Sequence, residues 1–243
     1  MTHTITIANS KGGVGKTTTA IAIAAGLAEQ GRRTLLVDID AQANCTQSLR
    51  LPPEAADSYS LLHGRHGQPV EVAANLWAIG STKDMIAAAD EIQTMKQGTA
   101  IATMLQPFRE LYEFIVIDTP PATGLLTMNA ILCADFVLIP LQASYLAAQG
   151  VGQLYELLQK IDRADAVGIV LTMYDKRKTL HRQIYEAIQR SFGGMVFSST
   201  IRNNIAIAEA PATGRLLYDY APKSNGAADY RALTAELLQR MAV

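Results

Sequence analysis

Six short apolar runs, rich in β-branched residues and continuous rather than alternating, recur along the chain: 5–8, 34–38, 76–79, 114–118, 136–140 and 167–172. A strand with one wet face alternates apolar and polar residues, so unbroken runs of this length predict strands covered on both faces. Helix-length segments lie among them, at 16–30, roughly 83–110, 124–133, 145–163 and 179–192. This alternation predicts right-handed crossovers and an α/β fold: a doubly wound, mostly parallel sheet with helices on both faces. Residues 226–241 read as a closing amphipathic helix, with Tyr230, Leu233, Leu237 and Met241 along one face. The Pro- and Gly-punctuated stretch 51–75 fits neither pattern. In such sheets ligands bind beyond the carboxyl ends of the strands, so the residues after each run are where chemistry is expected.

With 243 residues, 49% of them hydrophobic, the chain can bury one ample core. It has no repeat and no linker, so a single domain over 1–243 is expected. No apolar run reaches the ~20 residues of a membrane span. The N-terminus lacks a basic leader followed by an apolar stretch, and two cysteines, Cys45 and Cys133, are too few for a disulfide framework. The expectation is a cytoplasmic protein.

The first run is followed by Ser10-Lys11-Gly12-Gly13-Val14-Gly15-Lys16-Thr17-Thr18, which opens directly into a helix. Glycines permit positive φ and let successive N–H groups converge on phosphate oxygens, and the helix N-terminus adds its positive dipole. Lys16 fits the lysine that spans the β- and γ-phosphates, and the Thr17 hydroxyl fits a Mg²⁺ ligand. The usual pattern would place glycine at position 10; this chain has Ser10 there and a second lysine, Lys11, within the loop. The chain already neutralises a nucleotide with Lys16, its amides and a metal. A further cation is best explained if it reaches charge elsewhere, such as the phosphates of a nucleotide held by a second subunit. Asp118 ends a buried strand as a lone carboxylate, the arrangement that holds Mg²⁺ directly or through water. ATP and Mg²⁺ are the expected cofactors.

The loop resembles the deviant Walker A sequence of the ParA/MinD ATPases. The resemblance to the ParA/Soj partition group continues through Leu36-Val-Asp38-Ile-Asp40-Ala-Gln42-Ala-Asn44, Val116-Ile-Asp118-Thr-Pro-Pro121, Leu171-Thr-Met-Tyr-Asp175 and Glu209-Ala-Pro211, and spans essentially the whole chain. It implies an ATP-dependent sandwich homodimer in which Lys11 of each protomer reaches the other's nucleotide. It further implies that Lys11, Lys16 and Asp40 are the catalytic set, with Asp40 preparing the attacking water, and that residues 11–18 bind the nucleotide. Thr17, Asp118 and Asp40 would hold the metal. Alternate positions on an extended segment point Asp38 and Asp40 the same way, although the strand end can break this. Ala41 stands where the family has proline. Thr119–Gly124 resembles the switch loop that senses the γ-phosphate. Met173 and Arg202 fall where the family builds its adenine pocket, the alternative for Met173 being ordinary core.

The family's ATP dimer binds nucleoid DNA without sequence preference, and a centromere-binding ParB-like adaptor triggers hydrolysis. Local support is a charge asymmetry: residues 1–175 hold 11 basic and 17 acidic side chains, whereas 176–243 hold 10 basic and 5 acidic. Sequence-blind binding needs Lys and Arg on phosphates. Arg182, Arg190, Arg202 and Arg215 are the candidate DNA contacts, and Asn203 and Ala206 replace two family arginines. The first strand begins almost at the N-terminus, so the operator-binding extension of larger plasmid relatives is not expected; neither is a MinD-type membrane helix. The alternatives are an orphan relative that positions a protein cargo, a metabolic or iron–sulfur relative, and a nucleotide-binding regulator without turnover.

Overall fold

The computed structural model describes residues 1–92, 99–161 and 163–243. Seven strands form one sheet: β1 His3–Ile7, β2 Thr34–Asp38, β3 Val70–Ala73, β4 Leu76–Ile79, β5 Phe114–Asp118, β6 Phe136–Gln142 and β7 Val167–Thr172, in the order β3-β4-β2-β5-β1-β6-β7. Every pairing is parallel except β3 with β4 at one edge. The helices are α1 Lys16–Glu29, α2 Asn44–Ser48, α3 Ser58–Leu62, α4 Met85–Glu91, α5 Ala100–Leu105, α6 Leu125–Cys133, α7 Tyr145–Lys160, α8 Thr179–Phe192, α9 Ile205–Thr213, α10 Leu217–Tyr220 and α11 Asn225–Met241.

The unbroken apolar runs have the predicted cause. Leu36 and Val116 face a core made with Ile23 and Leu27 of α1 and Leu233 and Leu237 of α11. Their strand neighbours Leu35, Val37, Ile115 and Ile117 pack on Met85, Ile101 and Leu126 of α4, α5 and α6. Farther along the sheet, Ile139, Leu141 and Ile169 meet Leu154 and Leu158 of α7 and Ile184 of α8. Both faces are therefore dry, and even the alternating threonines of β1, Thr4 and Thr6, are fully buried.

Several expectations are corrected. The helix expected over 83–110 is α4, α5 and a 3₁₀ turn at Gln106–Phe108, and its 93–98 portion lies outside the described residues, as does Asp162 at the end of the helix expected over 145–163. The unassigned stretch 51–75 supplies α3, capped by the Asp57 side chain accepting from Ser60 N, and the antiparallel edge strand β3. α9 runs through Pro211, which sits two residues from its C-terminal end, where a missing N–H costs one bond. The tail helix has the predicted face: Tyr230, Leu233 and Leu237 are buried against α1 and the sheet. No helix among the described residues is long and apolar enough to cross a membrane.

Candidate functional site

The sheet gathers the expected residues at one edge. β1 and β2 both flank β5, with Ile7 and Asp38 each paired in register with Asp118, so the phosphate loop and two carboxylates leave the sheet side by side. On the other side of β1, β6 pairs with β7 to its last residue, Gln142 against Thr172.

Loop 8–15 has the conformation its glycines were expected to supply. Gly13 has φ 74° and Gly15 has φ 90°, backbone that L side chains adopt only with strain. Gly15 caps α1 with no side-chain bond, and the first turn carries no acidic residue, so the amides of that turn meet nothing from the protein's own caps. This is an anion-binding arrangement. Two buried polar side chains pin the loop. The Asn9 Nδ2 donates to the Pro140 carbonyl at 2.8 Å while its Oδ1 accepts from Lys11 N at 3.0 Å. The Thr172 hydroxyl donates to the Val14 carbonyl at 2.8 Å.

The two lysines behave differently. Lys16 is buried, and its ammonium turns back into the loop to donate to the Lys11 carbonyl at 3.1 Å. Burial lowers its pKa, opposed by the charges of Asp118 and Asp40. The half-exposed Lys11 ammonium has no hydrogen bond or ion pair among the described residues.

The two carboxylates at the end of β2 make different contacts. Asp38 Oδ2 accepts from Thr46 N and Oγ1, at 3.2 and 3.0 Å, and its Oδ1 accepts from Asp40 N, fastening α2 to the end of β2. Asp40, beyond the strand end, accepts from Gln42 N at 3.0 Å and faces a cleft of about 400 Å³ shared with Gly13, Lys16, Thr17, Asn44 and Pro121. Asp118 is fully buried, and its Oδ1 lacks a hydrogen-bond partner among the described residues. Burial, then the Asp38 charge, raises the Asp118 pKa to about 7, opposed by the Thr17 side chain and the Cys45 thiol. Burial likewise lifts Asp38 to about 6.

An acidic pocket with an orphaned carboxylate oxygen beside a threonine hydroxyl fits a hard divalent cation with oxygen ligands. Among the described residues no three His, Cys, Asp or Glu side chains gather into a metal cage. Mg²⁺ is usually held by one or two protein oxygens plus water and substrate phosphates.

Met173, in the left-handed region at φ 51°, and Arg202 line a second cleft of about 340 Å³ with Gly15, Thr18, Asn204 and Pro211. The two are brought together as expected, but the Arg202 guanidinium is already paired with Asp229, at 2.6 Å from Nη2 to Oδ1. The four expected DNA contacts are all exposed. Arg182 donates to the Lys176 carbonyl, and Arg215 bonds the Asp219 carbonyl and lies over the Tyr220 ring. Sequence reasoning missed Asn9 and Cys45, and took Thr172 only with Met173 as part of an adenine pocket, not as the residue that pins the loop at Val14. A lone polar residue interrupting or ending an apolar run is the only signal that could have flagged Asn9 and this role of Thr172.

A strand, an anion-binding glycine loop with lysine and threonine, a helix, and a carboxylate on the adjacent parallel strand together define a nucleotide-binding α/β protein of P-loop NTPase type. A family model described as an AAA domain matches residues 2–169. The chain is 37% identical to the chromosome-partitioning ATPase Soj of Thermus thermophilus, over 98% of this chain and 96% of that protein. It is 38% identical to the chromosome partitioning protein ParA of Myxococcus xanthus, over 97% and 88% respectively. Among solved structures it is similar to a cobyrinic acid a,c-diamide synthase of Mycobacterium smegmatis with bound ADP and magnesium, with TM-score 0.82 and 30% identity over 98% of this chain and 95% of that one. The chain belongs to the ParA/Soj family of partition ATPases, within the ParA/MinD superfamily.

Proposed function

We propose that this partition ATPase is a nucleotide-gated DNA clamp. With ATP and Mg²⁺ two copies form a symmetric dimer, the dimer holds nucleoid DNA without sequence preference, and a centromere-binding ParB-like adaptor discharges it by triggering hydrolysis to ADP and phosphate. The observation that carries this reading is the contrast between the two loop lysines. Lys16 folds inward onto its own loop, whereas the Lys11 ammonium lacks a partner among the described residues. A cation held beside a phosphate site, yet unpaired among the described residues, suits a neighbour's triphosphate.

Within each protomer the amides of residues 12–18 take the phosphates, and Lys16 bridges the β- and γ-groups. Thr17 and Asp118 would hold Mg²⁺, with Asp40 beside them, and the ion would supply positive charge against the nucleotide's phosphates. Asp40 has one oxygen fixed by Gln42 N, which leaves the other to orient water toward the γ-phosphate. The base occupies the cleft of Met173 and Arg202. DNA contact falls to the basic C-terminal sector, with Arg182, Arg190 and Arg215 more available than the paired Arg202. Phosphate contacts double in a dimer, so DNA affinity couples to nucleotide state and falls steeply with salt.

The test is sedimentation with ATP, and DNA binding across a salt series, for the wild type, Lys11→Ala and Asp40→Ala. Lys11→Ala is expected to bind ATP as a monomer and to lose DNA. Asp40→Ala is expected to bind ATP, keep DNA and release no phosphate. Normal ATP-dependent dimerisation by Lys11→Ala overturns the reading.

A further inference from the structure

Cys45, the second residue of α2, is 1% exposed, and its thiol lies 3.3 Å from Asp118 Oδ2. The thiol is the donor in this pair. The other oxygen, Oδ1, is buried and meets no hydrogen-bond donor among the described residues. With the thiol on Oδ2 and Oδ1 unpartnered, the two oxygens are inequivalent; the Thr17 side chain also acts on this carboxyl group, from the phosphate-loop side, and Oδ1 is left as the acceptor available to a ligand. The support behind Cys45 is rigid: the next residue, Thr46, is fastened to Asp38 through both its N–H and its hydroxyl. The residue before it, Asn44, lines the phosphate cleft together with Asp40.

We infer that Cys45 is a positioning residue for the magnesium–nucleotide site, orienting Asp118 and tying the 40–44 segment to it. Nothing in the phosphate loop, and no motif named above, assigns this residue a role. The inference rests on the reading of Asp118 as the metal-side carboxylate. Partners that orient a metal's ligands typically cost 10–100-fold in metal affinity when removed. A thiol is a weak donor, so about tenfold, the low end of that range, is expected here.

The test is the Mg²⁺ concentration that half-saturates binding of a fluorescent ATP analogue, with binding in EDTA and the melting temperature measured alongside. Cys45→Ala is expected to raise that concentration about tenfold while leaving analogue binding in EDTA unchanged. Cys45→Ser, whose hydroxyl still donates, is expected to recover most of the difference. If Cys45→Ala fails to fold, Cys45→Val against Cys45→Ser makes the same comparison of a non-donor with a donor. An unchanged Mg²⁺ requirement without the thiol, or an equal shift in the serine and non-donor variants, overturns the inference. Asp118→Asn separates the two levels. If it abolishes Mg²⁺ dependence while Cys45→Ala does not, only the role of Cys45 fails; if it too leaves Mg²⁺ dependence intact, the reading of Asp118 falls and the inference with it.

Discussion

Asn9 gives the sharpest handle on how the fold holds its phosphate loop. It is 2% exposed and joins two segments: Pro140 in β6, through its carbonyl, and Lys11 in the loop, through its N–H. Asn9→Ala removes both bonds and strands a carbonyl and an amide. A stranded buried group costs roughly 1–3 kcal/mol. Lys11 is half-exposed, so water can reach its amide and the pair sums toward the lower end, about 2–3 kcal/mol. For a chain of this size that is a fall of roughly 5–10 °C in melting temperature. Asn9→Asp keeps the acceptor for Lys11 N but sets a carboxylate oxygen against the Pro140 carbonyl, so it is expected to be at least as damaging. The assay is thermal and urea denaturation of both variants, paired with nucleotide titration. A melting temperature within about 1 °C of wild type for Asn9→Ala refutes the reasoning, because then the loop is not held through this side chain.

Lys16→Ala removes a buried cation that lies on the phosphate cleft, and is expected to weaken ATP binding by at least about 2–3 kcal/mol, roughly a hundredfold, by calorimetry. Leu233→Ala empties a site in the core between α11 and α1 and is expected to cost about 2–5 kcal/mol in urea unfolding without changing ATP affinity of the folded protein. Glu236 is penalised by burial, but the N–H groups of Ser198 and Ser199 outweigh this and lower its pKa from 4.5 to about 2. A depressed folded-state pKa means this stability is present above the unfolded value, and it is lost as pH falls from about 4.5 to about 2. Glu236→Gln is therefore expected to flatten the acid limb of the stability profile over that window, measured by denaturant midpoints.

The polar residues that build the site were legible in proportion to how local their purpose is. Gly13, Gly15, Lys16 and Thr17 act through backbone conformation and a helix terminus a few residues away, so their order in the chain nearly determines their geometry. Asp38 and Asp40 share a two-residue spacing, yet only the turn after β2 sends one to anchor α2 and the other to the cleft. Arg202 read as a nucleotide or DNA contact because its partner, Asp229, is distant in sequence. α9 was hidden by Pro211, whose cost is small near a helix end.

Six of the seven strands, the two dry faces, the phosphate loop and the family were legible in the sequence alone, because hydrophobic periodicity and glycine placement are short-range signals that need no partner to be read. The tertiary structure decided which polar groups meet. Asn9 finds Pro140, Thr172 finds Val14, and Cys45 finds Asp118 only once the parallel strands bring their carboxyl ends together. A buried hydrogen bond is specified by three-dimensional proximity, and proximity between distant segments is a property of strand order, which no window along the chain contains.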